Sequence, residues 1–385
     1  MNGGDAVLLT GATGFVGMEL LARYLERTQR RVFVLVRAES REHAMDRTHA
    51  TLEAALGSAS HHAERVTALA GDITEPGLGL RTDDAEAVAR DVGEIVHGAA
   101  SVSFDVGLAE SRDVNVEGTR RVLDFADLCQ SHGGLRRFSY VSTAYVAGEH
   151  TGVFDEDDLD VGQRFRNPYE QSKYEAERLV AERRSRLPIT VVRPSIIVGD
   201  SHTGWTASFN VLYWPLRALA RESYPALPAR RSAPVDVVSV DYVADAIFAL
   251  AQAPEAEGHT FHLTASGDAS SIGELLGLAV AGLECASPPV IPPRVYRHLV
   301  LPVLVRMRPE AKSFLEATEA YLPYFAMKVT YDDARSRAAL PSDIAPAHLA
   351  SYFSRLLGFA LLTDWGRRPL SRAQAKDAQA NLPAP

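Results

Sequence analysis

The sequence predicts an α/β fold, in which a doubly wound parallel sheet is followed by a smaller, mostly helical C-terminal lobe. The first observation is that short apolar, β-branched runs alternate with amphipathic stretches over the first half of the chain. Apolar runs separated by helices are typical of parallel strands that are covered on both faces. The second observation is that this alternation ends after Gly199, where a stretch rich in aromatic residues, proline and arginine begins.

Each element follows from the local pattern. Apolar runs predict six strands in the first half, at 6–10, 31–36, 66–71, 94–100, 137–142 and 189–194. Helical periodicity predicts the helices between them, including 17–28, 115–129 and 168–184. Later in the chain, strand-like runs at 235–241 and 259–265 flank a helical pattern at 242–253.

These patterns predict a division of the chain. We expect residues 1–199 and 235–265 to form the α/β domain, and residues 200–234 and 266–365 to form a discontinuous second lobe. The second lobe is predicted to be helical after about residue 270, where proline interrupts the pattern. We expect residues 366–385 to be a flexible tail, because they are small and polar and end in proline.

Composition limits the compartment and the partners. The 385-residue chain has a formal net charge of −9, so we expect no nucleic-acid partner, since phosphate backbones favour a basic surface. Cys129 and Cys285 are far apart and match no metal-ligand spacing, which predicts no metal site and a reducing compartment. The N-terminus does not resemble a signal peptide, and no run reaches the ~18 apolar residues of a membrane span. We therefore expect a cytoplasmic protein without a transmembrane segment.

A glycine-rich segment, TGATGFVG, joins the first strand to the first helix. Glycine forms the tight turn at little cost, and its missing side chain lets a pyrophosphate approach the backbone. The helix that follows directs its free N–H groups and its positive dipole end at the same place. The segment therefore predicts a dinucleotide site rather than a structural turn. The predicted contacts of this loop are Thr10, Gly11, Thr13, Gly14, Phe15, Val16 and Gly17.

The ends of the next strands indicate which dinucleotide binds. Arg37 ends the second strand, where an NAD site would carry an acid, and its guanidinium suits a 2′-phosphate. We therefore predict NADPH; the alternative is a solvated strand end, since Glu39 lies nearby. Arg47 is a second candidate for the phosphate, and Asp72 with Ile73 closes the third strand, where a carboxylate can bind the adenine amino group. Further predicted cofactor contacts are Ala99, Ala100, Ser101, Asn115 and Ser142.

The segment NPYEQSKYEAE places Tyr169 four residues before Lys173 at the start of a predicted helix. Such a pair lies on one helix face, so the hydroxyl and the ammonium can reach one space. Hydride delivery to a carbonyl leaves negative charge on oxygen, and a neighbouring ammonium lowers the pKa of a phenol from its usual value near 10. Ser142 and Thr143 end the fifth strand, at the carboxyl edge where ligands of such sheets bind. Together with the glycine loop, these residues predict a reductase-type site.

The chain resembles the extended short-chain dehydrogenase/reductase family over about residues 5–265. The resemblance lies in motifs that occur in the family's order: TGATGFVG, GDIT, NVEGTRRVLDFA, YVSTAYVAG, NPYEQSK, VVRPSIIVG and VDYVADAI. It implies a Rossmann-type sheet and a catalytic triad of Thr143, Tyr169 and Lys173, of which Tyr169 and Lys173 also contact the cofactor. It further implies that the nicotinamide is bordered by Pro194, Ser195 and Ile197.

Three other segments, LVRAES, LAGDITEPGLGL and HTGW, resemble the branch that contains thioester reductase domains and fatty acyl-CoA reductases. This resemblance implies reduction of an acyl thioester to the aldehyde, and sometimes on to the alcohol, with coenzyme A or the phosphopantetheine arm of a carrier protein presenting the acyl group. Hydride addition would create an oxyanion that Tyr169 and Thr143 can stabilise. Three alternatives remain: a ketone or hydroxysteroid dehydrogenase, a nucleotide-sugar epimerase or dehydratase, and a non-catalytic sensor of NADP(H).

Some segments have two interpretations. Residues 209–221, FNVLYWPLRALAR, would line an acyl tunnel or form a core helix. His97 and His262 lie in apolar strands and are expected to be core histidines with satisfied hydrogen bonds. The acidic run 154–160 is expected to be a solvated loop. Four arginines of the second lobe would meet a phosphopantetheine phosphate or form a solvated face: Arg217, Arg221, Arg230 and Arg231.

Overall fold

A computed structural model of the chain describes residues 4–57, 62–104, 106–132, 134–209, 211–221, 226–307, 324 and 326–380. Its strands are β1 Ala6–Thr10, β2 Val32–Val36, β3 Val66–Ala70, β4 Val92–His97, β5 Arg137–Val141, β6 Gly152–Phe154, β7 Ile189–Pro194, β8 Ile196–Val198, β9 Leu227–Pro228, β10 Pro234–Val235, β11 Val237–Ser239, β12 Thr260–Leu263, β13 Ser270–Ser271, β14 Val290–Ile291 and β15 Val329–Tyr331.

The helices are α1 Phe15–Arg27, α2 Arg41–Leu56, α3 Thr82–Asp91, α4 Leu108–Arg112, α5 Gly118–His132, α6 Pro168–Arg183, α7 Tyr213–Ala220, α8 Val240–Gln252, α9 Ile272–Leu283, α10 Pro293–Val295, α11 Leu301–Met307, α12 Ala334–Ala339, α13 Phe353–Leu362 and α14 Arg372–Ala380. Two π-helical turns, Asp113–Glu117 and Tyr296–Val300, lead into α5 and α11. Within the described ranges, no helix combines the length and the apolar character that crossing a membrane requires.

Within the described ranges, seven strands form one parallel sheet in the order β12-β7-β5-β4-β1-β2-β3. The strand order reverses at β1, which pairs with β2 on one side and with β4 on the other. In open sheets of this kind, ligands bind outside the carboxyl ends of the strands at such a switch point. The predicted fold class is therefore confirmed, and the ends of β1, β4 and β5 lie at one edge.

Helices cover both faces of this sheet because side chains alternate along each strand. One face packs against α1, α2 and α8, and the opposite face packs against α3, α5 and α6. Neighbouring residues of β1 illustrate the alternation, since Leu9 joins the first of these cores and Leu8 joins the second. Continuous apolar strands are the consequence of burial on both faces.

The C-terminal lobe has its own core, in which α7, α9 and α13 pack together. Buried residues from these helices include Leu216, Leu276 and Leu356. A short parallel pair, β6 with β15, joins the segment 329–331 to the domain of the large sheet, and β8 pairs with β11 beside that sheet.

The C-terminal end of the chain differs from the sequence expectation. We expected residues 366–385 to be flexible, but α14 packs against α1 and α2, with Ala375 buried among their side chains. Arg372 lies 3.3 Å from the fully buried carboxylate of Glu19, and Leu370 O accepts a hydrogen bond from Trp205 Nε1 at 3.0 Å. A buried carboxylate needs cationic partners, and composition alone does not reveal that need. Residues 381–385 lie outside the described residues.

Candidate active site

The glycine loop is closely packed between the end of β4 and the start of α1. Gly11 has a φ of +75°, and a Cβ there would lie 2.7 Å from Ala99 N. A Cβ on Gly17 would lie 2.1 Å from Gly11 O, so both positions require glycine. No side chain caps α1, whose N-cap is Gly14. Its first N–H groups are therefore available to an anion such as a pyrophosphate.

A cleft of about 790 Å³ runs along the carboxyl edge of the sheet from this loop. It brings together most of the predicted site residues. Those that line it are Gly11, Thr13, Gly14, Phe15, Val16, Gly17, Arg37, Arg47, Asp72, Ile73, Ala99, Ala100, Thr143, Tyr169, Ser195 and Ile197. A smaller cavity of about 140 Å³ shares Tyr169 and Thr143 with the cleft, and its walls add Thr10, Ser142, Lys173 and Pro194. Ser101 and Asn115 border neither space.

One end of the cleft is basic. Arg37 is exposed at the end of β2. Nη1 of Arg47, in α2, donates a hydrogen bond to the backbone oxygen of Arg37. The structure thus places both predicted phosphate contacts side by side. Asp72 lines the same end, where its Oδ1 accepts hydrogen bonds from the N–H and the hydroxyl of Thr74, both at 2.9 Å.

Asn115 lies behind the wall of the cleft in the π-helical turn. Its amide accepts from Ser101 N at 2.8 Å and donates to Ser101 O at 3.0 Å and to Ser172 Oγ at 2.9 Å. These bonds tie the loop after β4 to α6, the helix that carries Tyr169 and Lys173. The amide thus has protein partners in this structure, and the role of Asn115 as a cofactor contact stays a prediction.

His97 is a core histidine, as expected. Its Nδ1 lies 2.7 Å from Thr10 Oγ1, and its Nε2 lies 3.0 Å from Thr119 Oγ1. Burial lowers the pKa of the imidazole to about 3, so the ring is neutral. Because Thr10 Oγ1 also accepts from Ala99 N at 3.2 Å, this network connects the ends of β1 and β4 directly beneath the glycine loop.

The start of α6 positions the phenol of Tyr169. Pro168 occupies the first helical position, and the Asn167 side chain caps the helix by accepting from Glu170 N at 3.0 Å. Tyr169 is half-buried in the wall of the cleft. Burial raises the pKa of its hydroxyl to about 12, and a hydrogen bond with Thr143 partly offsets this rise. Tyr169 and Thr143 therefore present adjacent hydroxyls.

Lys173 corrects one expectation. We expected its ammonium to lower the pKa of Tyr169, yet Nζ donates to Tyr140 Oη and to Val141 O, both at 2.9 Å. Burial lowers the pKa of Lys173 to about 7, while the Tyr169 phenol is governed by its own burial. Helical spacing places the two side chains on one face, but only the packed structure shows that the amine finds acceptors on β5.

A buried ion pair below Lys173 was missed by the sequence analysis. Glu177 accepts three hydrogen bonds from Arg193, two from Nε at 3.0 and 3.2 Å and one from Nη2 at 2.6 Å, and both side chains are about 1% exposed. Ser142, predicted as a cofactor contact, donates its hydroxyl to Glu177. Glu177 lies one further turn after Lys173, so a Tyr, Lys, Glu series at four-residue spacing was the available signal.

Aromatic residues that the sequence analysis did not select surround Tyr169 on the side of the C-terminal lobe. The Phe104 ring centre lies 5.6 Å from that of Tyr169 and 5.5 Å from that of Tyr324, with which it stacks. The Tyr324 hydroxyl donates to Glu170 Oε1 and accepts from Asn167 Nδ2, both at 2.7 Å. No local pattern could reveal Tyr324, because it lies more than 150 positions after these partners.

Glu156, from the acidic run 154–160, and His262 both have hydrogen-bond partners inside the protein. Glu156 is buried and accepts hydrogen bonds from His262 N and from the N–H and hydroxyl of Ser336. The run 154–160 was expected to be a solvated loop. It is solvated only in part, because the Glu156 carboxylate is buried and accepts hydrogen bonds at the start of α12. His262 contacts Arg193 and the backbone oxygen of Asp332, as a core histidine should.

Comparisons with known proteins agree with this geometry. Residues 9–247 match the family model described as male sterility protein, an NAD-binding family. An isonitrile lipopeptide synthase of Streptomyces coeruleorubidus is 40% identical over 216 residues, which are 56% of this chain and 14% of that protein. Fatty acyl-CoA reductase 1 of Mus musculus is 29% identical over 285 residues, covering 64% of this chain and 54% of that protein.

The solved terminal R domain of the myxalamid PKS-NRPS biosynthetic pathway has the same fold. Its TM-score is 0.80 at 27% identity, and the match covers 95% of this chain and 92% of that one. The chain thus corresponds to nearly a whole domain there, and to a small part of the lipopeptide synthase. Because the family match spans more than half of the chain, this protein belongs to the male sterility protein family of NAD-binding domains.

Proposed function

We propose that this protein is an NADPH-dependent reductase that converts an acyl thioester, carried on coenzyme A or on the phosphopantetheine arm of a carrier protein, to the aldehyde. The observation that carries the proposal is that Tyr169 and Thr143 line the same cleft as the glycine loop, with their hydroxyls next to each other. The similarity to a fatty acyl-CoA reductase and to an R domain supports a thioester as the substrate class.

The residues of the cleft fit NADPH. The glycine loop and the uncapped start of α1 would hold the pyrophosphate, and a Cβ at Gly17 would close the turn against it. Arg37 and Arg47 would bind the 2′-phosphate, since two guanidinium groups favour this dianion over a bare ribose. Asp72 would bind the adenine amino group. When bound, NADPH would supply the hydride to the carbonyl carbon of the thioester.

Side chains of the protein would donate the proton that the carbonyl oxygen needs. Tyr169, with its pKa near 12, stays protonated at neutral pH and donates to the carbonyl oxygen as negative charge develops there. Thr143 supplies a second hydroxyl to the same oxygen. Addition of hydride and proton gives a hemithioacetal; loss of its hydroxyl proton and cleavage of the C–S bond, with a proton passing to sulfur, release the aldehyde and a free thiol.

Lys173 would hold the nicotinamide ribose and restore the proton of Tyr169. Its pKa near 7 allows it to exchange a proton with solvent at neutral pH. Pro194, Ser195 and Ile197 would border the nicotinamide. Exchange of NADP⁺ for a second NADPH would allow a second hydride transfer at the same site, with a proton again from Tyr169, and this would carry the aldehyde on to the alcohol.

The test is NADPH consumption by the purified protein with acyl-coenzyme A esters, followed by identification of the products by mass. We expect the aldehyde or its alcohol, and a higher kcat/KM with NADPH than with NADH. Turnover of a ketone or of a nucleotide sugar in place of every thioester would replace the proposal with one of those activities.

Tyr169→Phe removes the proton donor and keeps the ring. We expect kcat to fall about 10²–10⁴-fold, the usual contribution of a general acid, with NADPH affinity retained in fluorescence titration. Tyr174→Phe is the matched control, because Tyr174 lies on the same helix and packs against Phe165 outside the cleft. Equal activity of the two variants would remove Tyr169 from the mechanism.

A further inference from the structure

Two aromatic rings from distant parts of the chain form the wall of the cleft beside Tyr169. Phe104 follows β4, Tyr324 lies in the C-terminal part of the chain, and both line the same cleft as Tyr169. The Phe104 ring contacts the other two rings, and it stacks on Tyr324 at an interplanar angle of 16°. A shift of the Tyr324 ring therefore reaches the Tyr169 ring through Phe104.

The hydroxyl end of Tyr324 is bound by Glu170. Glu170 Oε1 accepts its hydrogen bond at 2.7 Å, and Asn167 Nδ2 donates to the same hydroxyl at 2.7 Å. Burial and the nearby Glu170 charge both raise the pKa of the Tyr324 phenol well above its usual value. Tyr324 is thus a neutral donor, and since its one hydroxyl hydrogen is given to Glu170, it does not compete with Tyr169 as the proton donor of the reaction.

Glu170 follows Tyr169 directly in the chain and is fully buried in the first turn of α6. Its carboxylate accepts from Arg166 Nη1 at 3.1 Å and from Arg166 N at 2.9 Å, and the guanidinium also lies over the Tyr324 ring. An acid in the first turn stabilises a helix without being buried, and burying a carboxylate costs free energy that its partners must offset. The burial of Glu170 is accordingly explained by what it holds in place, which includes Tyr324.

We propose that Glu170 and Tyr324 are positioning residues for the proton donor, Tyr169. Glu170 binds the hydroxyl of Tyr324 and so keeps its ring against Phe104. Phe104 in turn fixes the Tyr169 ring, so that its hydroxyl stays beside that of Thr143. The inference rests on the proposed function, in which Tyr169 donates a proton to the thioester carbonyl. Such a step depends on geometry, since a misplacement of about 1 Å can cost about 10²-fold in rate.

Tyr324→Phe keeps the ring and removes the hydrogen bond to Glu170. The measurement is a single turnover of bound NADPH with the acyl-coenzyme A ester that the wild type reduces best. We expect the rate constant of NADPH oxidation to fall about tenfold at full amplitude, with NADPH affinity unchanged. Loss of folded protein would instead lower the amplitude and leave the rate constant as it is.

Tyr331→Phe is the matched control. Tyr331 is a buried tyrosine of the same apolar cluster as Tyr324, it does not line the cleft, and its hydroxyl has no hydrogen-bond partner within the described ranges. This variant should keep the rate constant of the wild type. If Tyr324→Phe has the same rate constant as Tyr331→Phe, the inference is overturned.

Three further variants follow the route from the carboxylate to the phenol. Glu170→Ala removes the acceptor, and Phe104→Leu removes the ring between the two tyrosines, so each should be slowed as Tyr324→Phe is. Glu170→Gln should stay close to the wild type, because its amide oxygen can still accept the Tyr324 hydroxyl. Glu170→Ala combined with Tyr324→Phe should be no slower than the slower single variant, since both remove one bond. Effects that multiply would contradict a shared route. If Glu170→Ala does not fold, Tyr324→Phe and Phe104→Leu carry the test.

A measurement without turnover separates this inference from the proposed function. In protein labelled with 3-fluorotyrosine, Tyr169→Phe identifies the fluorine resonance of Tyr169. We expect Tyr324→Phe and Phe104→Leu to shift this resonance, and Tyr331→Phe to leave it in place. If the resonance shifts but no thioester is reduced, the proposed function fails and the positioning of Tyr169 stands. If the resonance stays in place while thioesters are reduced, the positioning inference fails and the proposed function stands.

Discussion

Tyr169 and Lys173 have opposite pKa shifts with one cause. Burial disfavours the charged form of each group, so it raises the pKa of the phenol to about 12 and lowers that of the amine to about 7. At neutral pH the phenol is consequently a neutral donor, while the amine lies near its midpoint. The pH dependence of activity near neutrality should therefore report Lys173 rather than Tyr169.

Glu177→Gln should move this pH dependence. The Glu177 carboxylate opposes the effect of burial on Lys173, so its loss lowers the pKa of Lys173 further. Because protonated Lys173 is the proposed source of the Tyr169 proton, activity should be lost as pH rises through the pKa of Lys173. We expect the alkaline loss of kcat/KM to occur about one pH unit lower in the variant than in the wild type. A pH–rate profile measures this.

The same variant leaves Arg193 charged and buried without its partner, which should cost about 3–5 kcal/mol of stability. The double variant Glu177→Gln with Arg193→Met removes both charges. We expect it to recover much of the stability in chemical denaturation but to keep the shifted pH profile. A double variant with the wild-type profile would mean that Glu177 acts only through packing.

At the scale of elements, α1 and the glycine loop form one unit. Gly17 lies in the first turn of α1, and a Cβ there would be 2.1 Å from Gly11 O. Gly17→Ala should therefore displace the helix from the turn, lower the free energy of unfolding by about 1–3 kcal/mol, and weaken NADPH binding at least about tenfold. Denaturation and cofactor titration measure the two effects.

Gly277 supplies the control for this substitution. It is exposed within α9, and a Cβ there would have no neighbour within 4 Å. Gly277→Ala should stabilise the protein by about 0.5–1 kcal/mol, since alanine loses less backbone entropy in a helix. Normal NADPH affinity in Gly17→Ala would show that the loop does not need this close approach.

The elements were predictable where the local pattern decides them. β1, β7 and α6 lie within a residue of their predicted bounds, because burial on both sheet faces and helical periodicity act on neighbouring residues. The run at 235–241 is different: Val235 ends β10, which pairs with β13, and Val237–Ser239 form β11, which pairs with β8 outside the large sheet. Pairing partners depend on distant residues, so the run itself carries no information about them.

At the scale of the whole molecule, the C-terminal helix is coupled to the cofactor loop. Leu370 O accepts from Trp205, and the Trp205 ring lies 5.9 Å from that of Phe15, the first residue of α1. Arg372 contacts Glu19 on the same helix. The last segment of the chain thus supports the element that would bind the pyrophosphate.

Deleting residues 370–385 should therefore destabilise the protein by about 2–5 kcal/mol, because a buried carboxylate and an indole N–H lose partners. We also expect NADPH affinity to fall several-fold. Deletion of residues 381–385 alone is the control and should leave both quantities unchanged. If the longer deletion matches the control in thermal denaturation, α14 does not support α1.

Local sequence determined the parallel sheet, the glycine loop and the placement of Tyr169 with Lys173 on one helix face, since each depends on residues that are close in the chain. Only the tertiary structure decided the partners of Lys173, the buried pair of Glu177 with Arg193, the position of Tyr324 beside the phenol, and the docking of α14. These contacts join positions far apart in sequence, and their energies come from burial and from the pairing of charges away from water, which no local pattern records.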